Sequence, residues 1–271
     1  MEGVTLSSSM EKEGEMVEFA PNVYLFGGRI VPFMKFFPYN TRMTVIKLAD
    51  GSLFVHSPIK LTPDIKEKVD QLGTVKYLVS PNKIHHLFLS DWKAAYPEAL
   101  TYASPGLEKK RKDIVFDRFF PLPSSVCVED EHRKGGIVNV GGPHPNVEGW
   151  SDEISSHVLG GNSFMDEVLF FHRPSQTLIV ADLVENFPKG FIREYWGKGL
   201  VLMAKLWGIV APKGKAPLEW RLSWVGKKKI TRKTYALVVD EWQPIKLVMA
   251  HGLCVEEGAT PFLKHSFGWM K

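Results

Sequence analysis

From residue 19 onward the chain reads as short apolar blocks separated by turn-forming residues. Residues 22–28 and 41–56 are β-branched and aromatic, and the second stretch breaks at Ala49-Asp50-Gly51-Ser52. Asp-Gly between two apolar runs is a strong hairpin signal, so residues 41–56 are expected to form a β-hairpin. Thr62, Pro63 and Gly73 bracket a polar, periodic stretch. A threonine N-cap, a proline at the first helical position and a terminating glycine predict a helix there. Residues 75–80 read as a buried strand, residues 87–97 carry helical spacing, and residues 99–104 read as another strand. The order β-β-α-β-α-β favours a layered α/β fold with a partly parallel sheet.

The second half repeats the scheme less regularly. Residues 128–150 are rich in glycine, proline and charge, and are expected to be a long loop around one short strand. Residues 166–183 form a second expected hairpin, turning at His172-Arg173-Pro174-Ser175. Residues 187–243 look helical and aromatic, residues 245–252 read as a strand ending in His-Gly, and a closing helix is expected near Pro261. Two rounds of hairpin, helix and strand suggest two similar halves packed together. Residues 1–15 read as a disordered leader, and residues 16–271 as one domain.

Composition narrows the partners. With 34 basic and 30 acidic residues, the net charge of +4 is too even to predict nucleic-acid binding. The basic run at 226–233 is expected to be a solvated helix or loop face. Two distant cysteines, Cys127 and Cys254, make no disulfide framework, which fits a reduced, cytoplasmic protein. No apolar run reaches the roughly 18 residues of a membrane span. The nearest, residues 199–212, is interrupted by Lys205 and suits a buried amphipathic helix, although it also admits peripheral membrane contact.

Chemistry gathers where strands end. The strand over 75–80 leads into Asn82, His85 and His86; the second hairpin ends at Asp182; the late strand ends at His251. Ligand sites in α/β sheets collect at the carboxyl ends of strands. Imidazoles plus a carboxylate are a usual donor set for zinc or non-haem iron. A plainer arrangement is also open, in which Asp182 caps a turn and His251 bonds a backbone carbonyl.

The same residues resemble the metallo-β-lactamase superfamily, in a divergent branch of unknown function, from about residue 17 to 270. That family's first motif is His-x-His-x-Asp-His after a buried strand. Its register falls on Pro81-Asn82-Lys83-Ile84-His85-His86, so His86 takes the last histidine and His85 the aspartate. The later glycine-turn histidine falls on Asn162, with His157 an alternative. The bridging aspartate matches Asp182 and the final histidine matches His251.

The resemblance implies a four-layer αββα sandwich with a helical insertion over about 187–243. It implies a metal-dependent hydrolase acting on a small molecule, or else a non-catalytic, ligand-binding descendant. Three ligands of one metal position are replaced, so it implies a single divalent ion held by His85, His86, Asp182 and His251. Zinc is expected first, with iron or manganese as alternatives. Asp182 would place the attacking water and Asn82 would hydrogen-bond substrate or water. His56 would orient a ligand, and Lys83 would supply charge where a ligand is lost. His172 reads as structural, while His132, His144 and His265 have no assigned partner.

Overall fold

The computed structural model describes residues 3–33, 36–122, 149–162 and 164–271. Most of the loop expected over 128–150 falls outside the described residues, as do Cys127, His132 and His144.

Two sheets face each other. One has seven strands in the order Met16–Ala20, Val23–Phe33, Phe37–Lys47, Ser52–His56, Thr74–Ser80, Leu100–Ala103 and Arg118–Phe119. Its first four strands are antiparallel and the rest are added in parallel. The other has six strands in the order Thr5–Leu6, Val255–Glu257, Lys246–Val248, Thr177–Ile179, Glu167–His172 and Ile154–Leu159. The two expected hairpins therefore stand, one in each sheet.

Strand periodicity sorts the side chains into layers. Phe54, Val168 and Phe170 point between the sheets, where they meet Tyr77, Ile179 and Val248. Their chain neighbours Leu53 and Val55 point out, onto Ile65 and Val69 of the helix Pro63–Leu72 and Trp92 of the helix Leu89–Ala95. Leu169 points out of the second sheet, onto Trp220, Val238 and Phe262. The layers thus run helix, sheet, sheet, helix, as expected. Thr62 caps its helix by accepting the Ile65 N–H at 3.3 Å, and Gly73 ends it.

The insert is helical: Lys189–Phe191, Ile192–Trp196, Leu200–Trp207, Leu218–Ser223, Lys228–Tyr235 and Ala236–Trp242. Trp196 ties it to the first sheet by donating from its indole to the Pro38 carbonyl at 2.7 Å.

Two expectations need correction. The supposed leader is packed on the fold. Thr5–Leu6 pairs with the Val255–Glu257 strand, and Glu11 accepts from Arg42 Nε at 2.6 Å. Arg42 is fully buried and also bonds the Gly252 carbonyl, so the acidic segment supplies the countercharge that a buried guanidinium requires. The apolar stretch over 199–212 is not buried throughout. Ala204 faces inward, while Leu202 and Leu206, one helical turn apart, are 66% and 74% exposed. Among the described residues no helix is long and apolar enough to cross a membrane.

Candidate metal centre

The turn after the Thr74–Ser80 strand is built by Asn82. Its Oδ1 accepts from the backbone N–H of Ile84 at 2.9 Å and of His85 at 3.1 Å. Ser80 Oγ donates to the carbonyl of His85 at 2.7 Å. This compact turn sends two adjacent imidazoles in opposite directions. His85 turns inward to Asp182, its Nε2 lying 3.3 Å from Oδ1 and 3.2 Å from Oδ2. His86 turns outward, with Nδ1 3.0 Å from the Arg111 guanidinium.

His251 approaches Asp182 from the other side, with Nε2 3.1 Å from Oδ1. The donor atoms of His85, Asp182 and His251 all lie within 4.8 Å of one another. His251 sits in a two-residue parallel strand, His251–Gly252 beside Glu185–Asn186. Gly252 has φ 92°, and a Cβ there would lie 2.3 Å from the Asn186 carbonyl. Glycine after this histidine lets the two strands approach closely enough to pair.

The donor set tests whether a cation fits. His251 Nδ1 lies 2.6 Å from the Asn40 carbonyl, which only accepts, so Nδ1 carries the proton. Burial pulls the His251 pKa down, against the Asp182 carboxylate that faces its Nε2. A positive centre, a proton on Nε2 or a metal ion, accounts for the 3.1 Å approach of Nε2 to the carboxylate oxygen. The Asp182-to-imidazole separations also approach the roughly 3.3 Å edge of a tetrahedron with zinc-type bond lengths. The three residues therefore fit a small divalent ion.

Behind the group lie carboxylates and polar residues that the sequence reading did not single out. Glu167, fully buried, accepts from the backbone N–H of Ala181 at 2.9 Å, Asp182 at 2.9 Å and Leu183 at 3.3 Å. Asn82 Nδ2 donates to Glu167 at 3.0 Å and to Asp182 Oδ2 at 2.7 Å. Ser57, at φ 55°, meets His85 Nδ1 at 2.5 Å. Tyr39 donates to Glu185 at 3.2 Å. The sequence holds one usable signal for Glu167, a carboxylate heading an otherwise apolar strand. Asn40, Ser57 and Glu185 carry no such mark.

Electrostatics follows from this packing. Burial alone would raise the Asp182 carboxyl. The charge of His85 and hydrogen bonds from both imidazoles outweigh it and hold the group well below the usual carboxylate range. Burial pulls His85 down, but Asp182 beside it more than compensates, and its pKa is raised. Glu167 is pushed up to about 7 by burial and by the neighbouring Asp182 charge. Glu185 is raised for the same two reasons.

The other expected site residues lie elsewhere. His86 is not in the group, because the turn geometry spends it on Arg111; burial, then Lys110 and Arg111, lower it to about 4. Asn82 is fully buried behind Asp182, so it positions that carboxylate rather than facing substrate. Lys83 runs towards Gly106, where its Nζ would lie 3.1 Å from an added Cβ. Asn162 braces its own turn, accepting from the Phe164 N–H at 2.8 Å and donating to Ser223 at 2.6 Å. His157 bonds Thr234 at 2.8 Å on the outer face of its sheet, away from the group. His56 packs against the Phe170 ring at 5.5 Å, and its Nε2 has no hydrogen-bond partner among the described residues. His172 bonds Ser175 at 2.7 Å in the far turn, in keeping with a structural part.

A family model described as Domain of unknown function (DUF4336) matches residues 35–193. No curated protein matches the chain. Among solved structures the chain resembles the metallo-β-lactamase DIM-1, at 14% identity over 98% of each chain and a TM-score of 0.56. It resembles the metallo-β-lactamase FIM-1 from Pseudomonas aeruginosa, in its mono-zinc form, at 7% identity over 94% of each chain and a TM-score of 0.53. It also resembles rubredoxin oxygen:oxidoreductase from Desulfovibrio gigas, at 11% identity over 94% of this chain and 60% of that one, with a TM-score of 0.56. Identities this low establish a shared fold and leave chemistry open. With a family model covering more than half its length, and two facing sheets flanked by helices, the chain belongs to the DUF4336 family and has the metallo-β-lactamase fold.

Proposed function

We propose that this chain is a metal-dependent hydrolase of small molecules with one divalent ion held by His85, Asp182 and His251. The observation that carries this reading is the His251 Nε2 aimed at a carboxylate oxygen, with Nδ1 against the Asn40 carbonyl, inside a group whose three donors converge. Three protein ligands, one fewer than the sequence suggested, leave a coordination position open, as a catalytic site requires. A bound divalent ion would polarise a carbonyl or phosphoryl oxygen and lower the pKa of water. Two imidazoles and a carboxylate suit zinc, and iron or manganese accept the same donors.

The chain's own residues hold that arrangement. Asn40 fixes the His251 tautomer and ring direction, as supporting carbonyls do for ligating histidines. Ser57 orients His85, and Asn82 with Glu167 clamps Asp182. A second reading is a non-catalytic descendant, in which Asp182 is bonded only by Asn82 and protonated imidazoles. The closed hydrogen-bond network around Asp182 favours it.

Elemental analysis of protein purified without chelator separates the two. The hydrolase reading expects about one divalent ion per chain, lost in both Asp182→Ala and His251→Ala, and an esterase or related activity that follows metal content. Metal-free, folded protein with the same group intact would support the second reading.

A further inference from the structure

The helical insert carries a charge that the rest of the chain does not. Residues 187–243 hold 12 basic and 4 acidic residues, a formal +8, while the remaining 22 basic and 26 acidic residues come to −4. An imbalance of this kind marks a surface for an anionic partner. The cations of the insert are also left unneutralised. Elsewhere Arg42, Lys66, Lys68 and Lys93 each pair with a carboxylate, whereas among the described residues no salt bridge engages a cation of the insert. Lys215 and Arg221 instead crowd the C-terminal end of the Leu200–Trp207 helix at Gly208. Arg221 donates to the Trp207 carbonyl at 2.7 Å, and burial, then the charges of Arg221 and Lys213, pull Lys215 down. Lys205 projects from the helix itself and is exposed.

Hydrocarbon stands among these charges. Ala204 packs the helix inward, and residues two positions away lie on the opposite side, so Leu202 and Leu206 form its outward pole. Phe36, at the tip of the hairpin between Val23–Phe33 and Phe37–Lys47, is 80% exposed. Phe37 beside it packs on Trp196 at 5.1 Å and on Trp207 at 5.8 Å, which sets the hairpin tip against this helix. Exposed apolar residues of two distant segments thus come together at one part of the surface. Contiguous apolar surface of this kind marks a place of contact, whereas scattered single residues do not.

The two features together select a partner. A nucleic acid would answer the cations, but its interfaces are polar and leave projecting leucines unused. A second copy joined through the same face would set +8 against +8. An anionic bilayer answers both, because its head groups take the cations and its acyl boundary takes the apolar side chains. We propose that the Leu200–Trp207 helix and the Phe36 hairpin tip dock this chain on an anionic membrane surface. Leu202, Leu206 and Phe36 enter the acyl boundary, and Lys205 lays its stem along it with the ammonium at head-group level. No residue of the metal centre takes part, so the proposal stands apart from the hydrolase reading.

The test is flotation of the full chain with vesicles of phosphatidylcholine alone and of phosphatidylcholine containing roughly 30% phosphatidylserine. The anionic vesicles should bind at least about tenfold more tightly than the neutral ones, and raised salt should weaken them. Leu202→Gln with Leu206→Gln, at exposed helical positions, should lower binding about tenfold or more with the thermal midpoint unchanged. Lys205→Glu should lower it by a similar factor, and it keeps the test decisive if the leucine pair proves unstable. Val115→Gln, at a residue that is 86% exposed but outside the insert, should change nothing. Failure to bind the anionic vesicles, or equal binding to both kinds, would overturn the proposal. So would a folded leucine variant that binds like the parent, or a loss in Val115→Gln as large as in the leucine pair. Binding to a DNA duplex that survives the leucine substitutions, without flotation, would assign the face to nucleic acid and overturn it too.

Discussion

The inner and outer sides of the turn after the Thr74–Ser80 strand carry adjacent histidines with opposite electrostatics. On the inner side His85 is raised by the Asp182 carboxylate, which outweighs its burial. On the outer side burial, Lys110 and Arg111 lower His86 to about 4. Both imidazoles are shielded from solvent, with side-chain exposure of 7% for His85 and residue exposure of 7% for His86. Burial therefore does not separate them. The sign of the nearest charge does, and it decides which of them can share a site with a carboxylate. Adjacent positions in a sequence can belong to unrelated chemistry once a tight turn divides them.

The largest effect expected from this contrast is on metal affinity. His85→Ala should weaken binding of zinc by about 100-fold or more, since it removes a ligand rather than a support. His86→Ala should leave affinity within about twofold. Competitive titration with a chromogenic chelator reads both, and comparable losses in the two variants would mean that both imidazoles hold the ion.

The next effect is on stability, through the inner side alone. Glu167→Gln turns an amide N–H₂ towards backbone donors that now meet a carboxylate. It should cost about 2–3 kcal/mol in urea unfolding, as unsatisfied buried groups do. A loss below about 0.5 kcal/mol would mean that the carboxylate is not what clamps Asp182.

A further effect belongs to the outer side and depends on pH. His86 titrates near 6.5 when unfolded and near 4 when folded. Between those values the unfolded chain binds the proton and the folded chain does not. His86 therefore costs nothing at neutral pH and destabilises progressively as pH falls from 6.5 towards 4. The stability of the parent minus that of His86→Gln should decline across this window and flatten below it. A difference that rises as pH falls would show that His86 gains, rather than loses, a countercharge on folding.

Much of the framework was legible. The Asp50-Gly51 hairpin, the Thr62-to-Gly73 helix and the His-Gly strand end are set by local rules, and each formed as expected. Asp182 and His251 could be singled out because a polar residue ending an apolar strand has few cheap places to go. His86 could not be separated from His85 on pattern alone, because the turn that splits them is built by Asn82 and Ser80 hydrogen bonds. Glu167 joins the group from a strand 15 residues before Asp182, through contacts to backbone that no side-chain pattern records.

The sequence by itself determined most of the elements and the strand ends where polar groups collect, because hydrophobic period and turn chemistry act over a few residues; the two-sheet layering was implied only by the family resemblance. Only the tertiary structure decided membership of the site. Which imidazole meets Asp182, which carbonyl fixes the His251 tautomer and which carboxylate clamps the Asp182 turn all depend on contacts between segments distant in sequence. Those contacts are also where burial and neighbouring charge become strong enough to shift protonation.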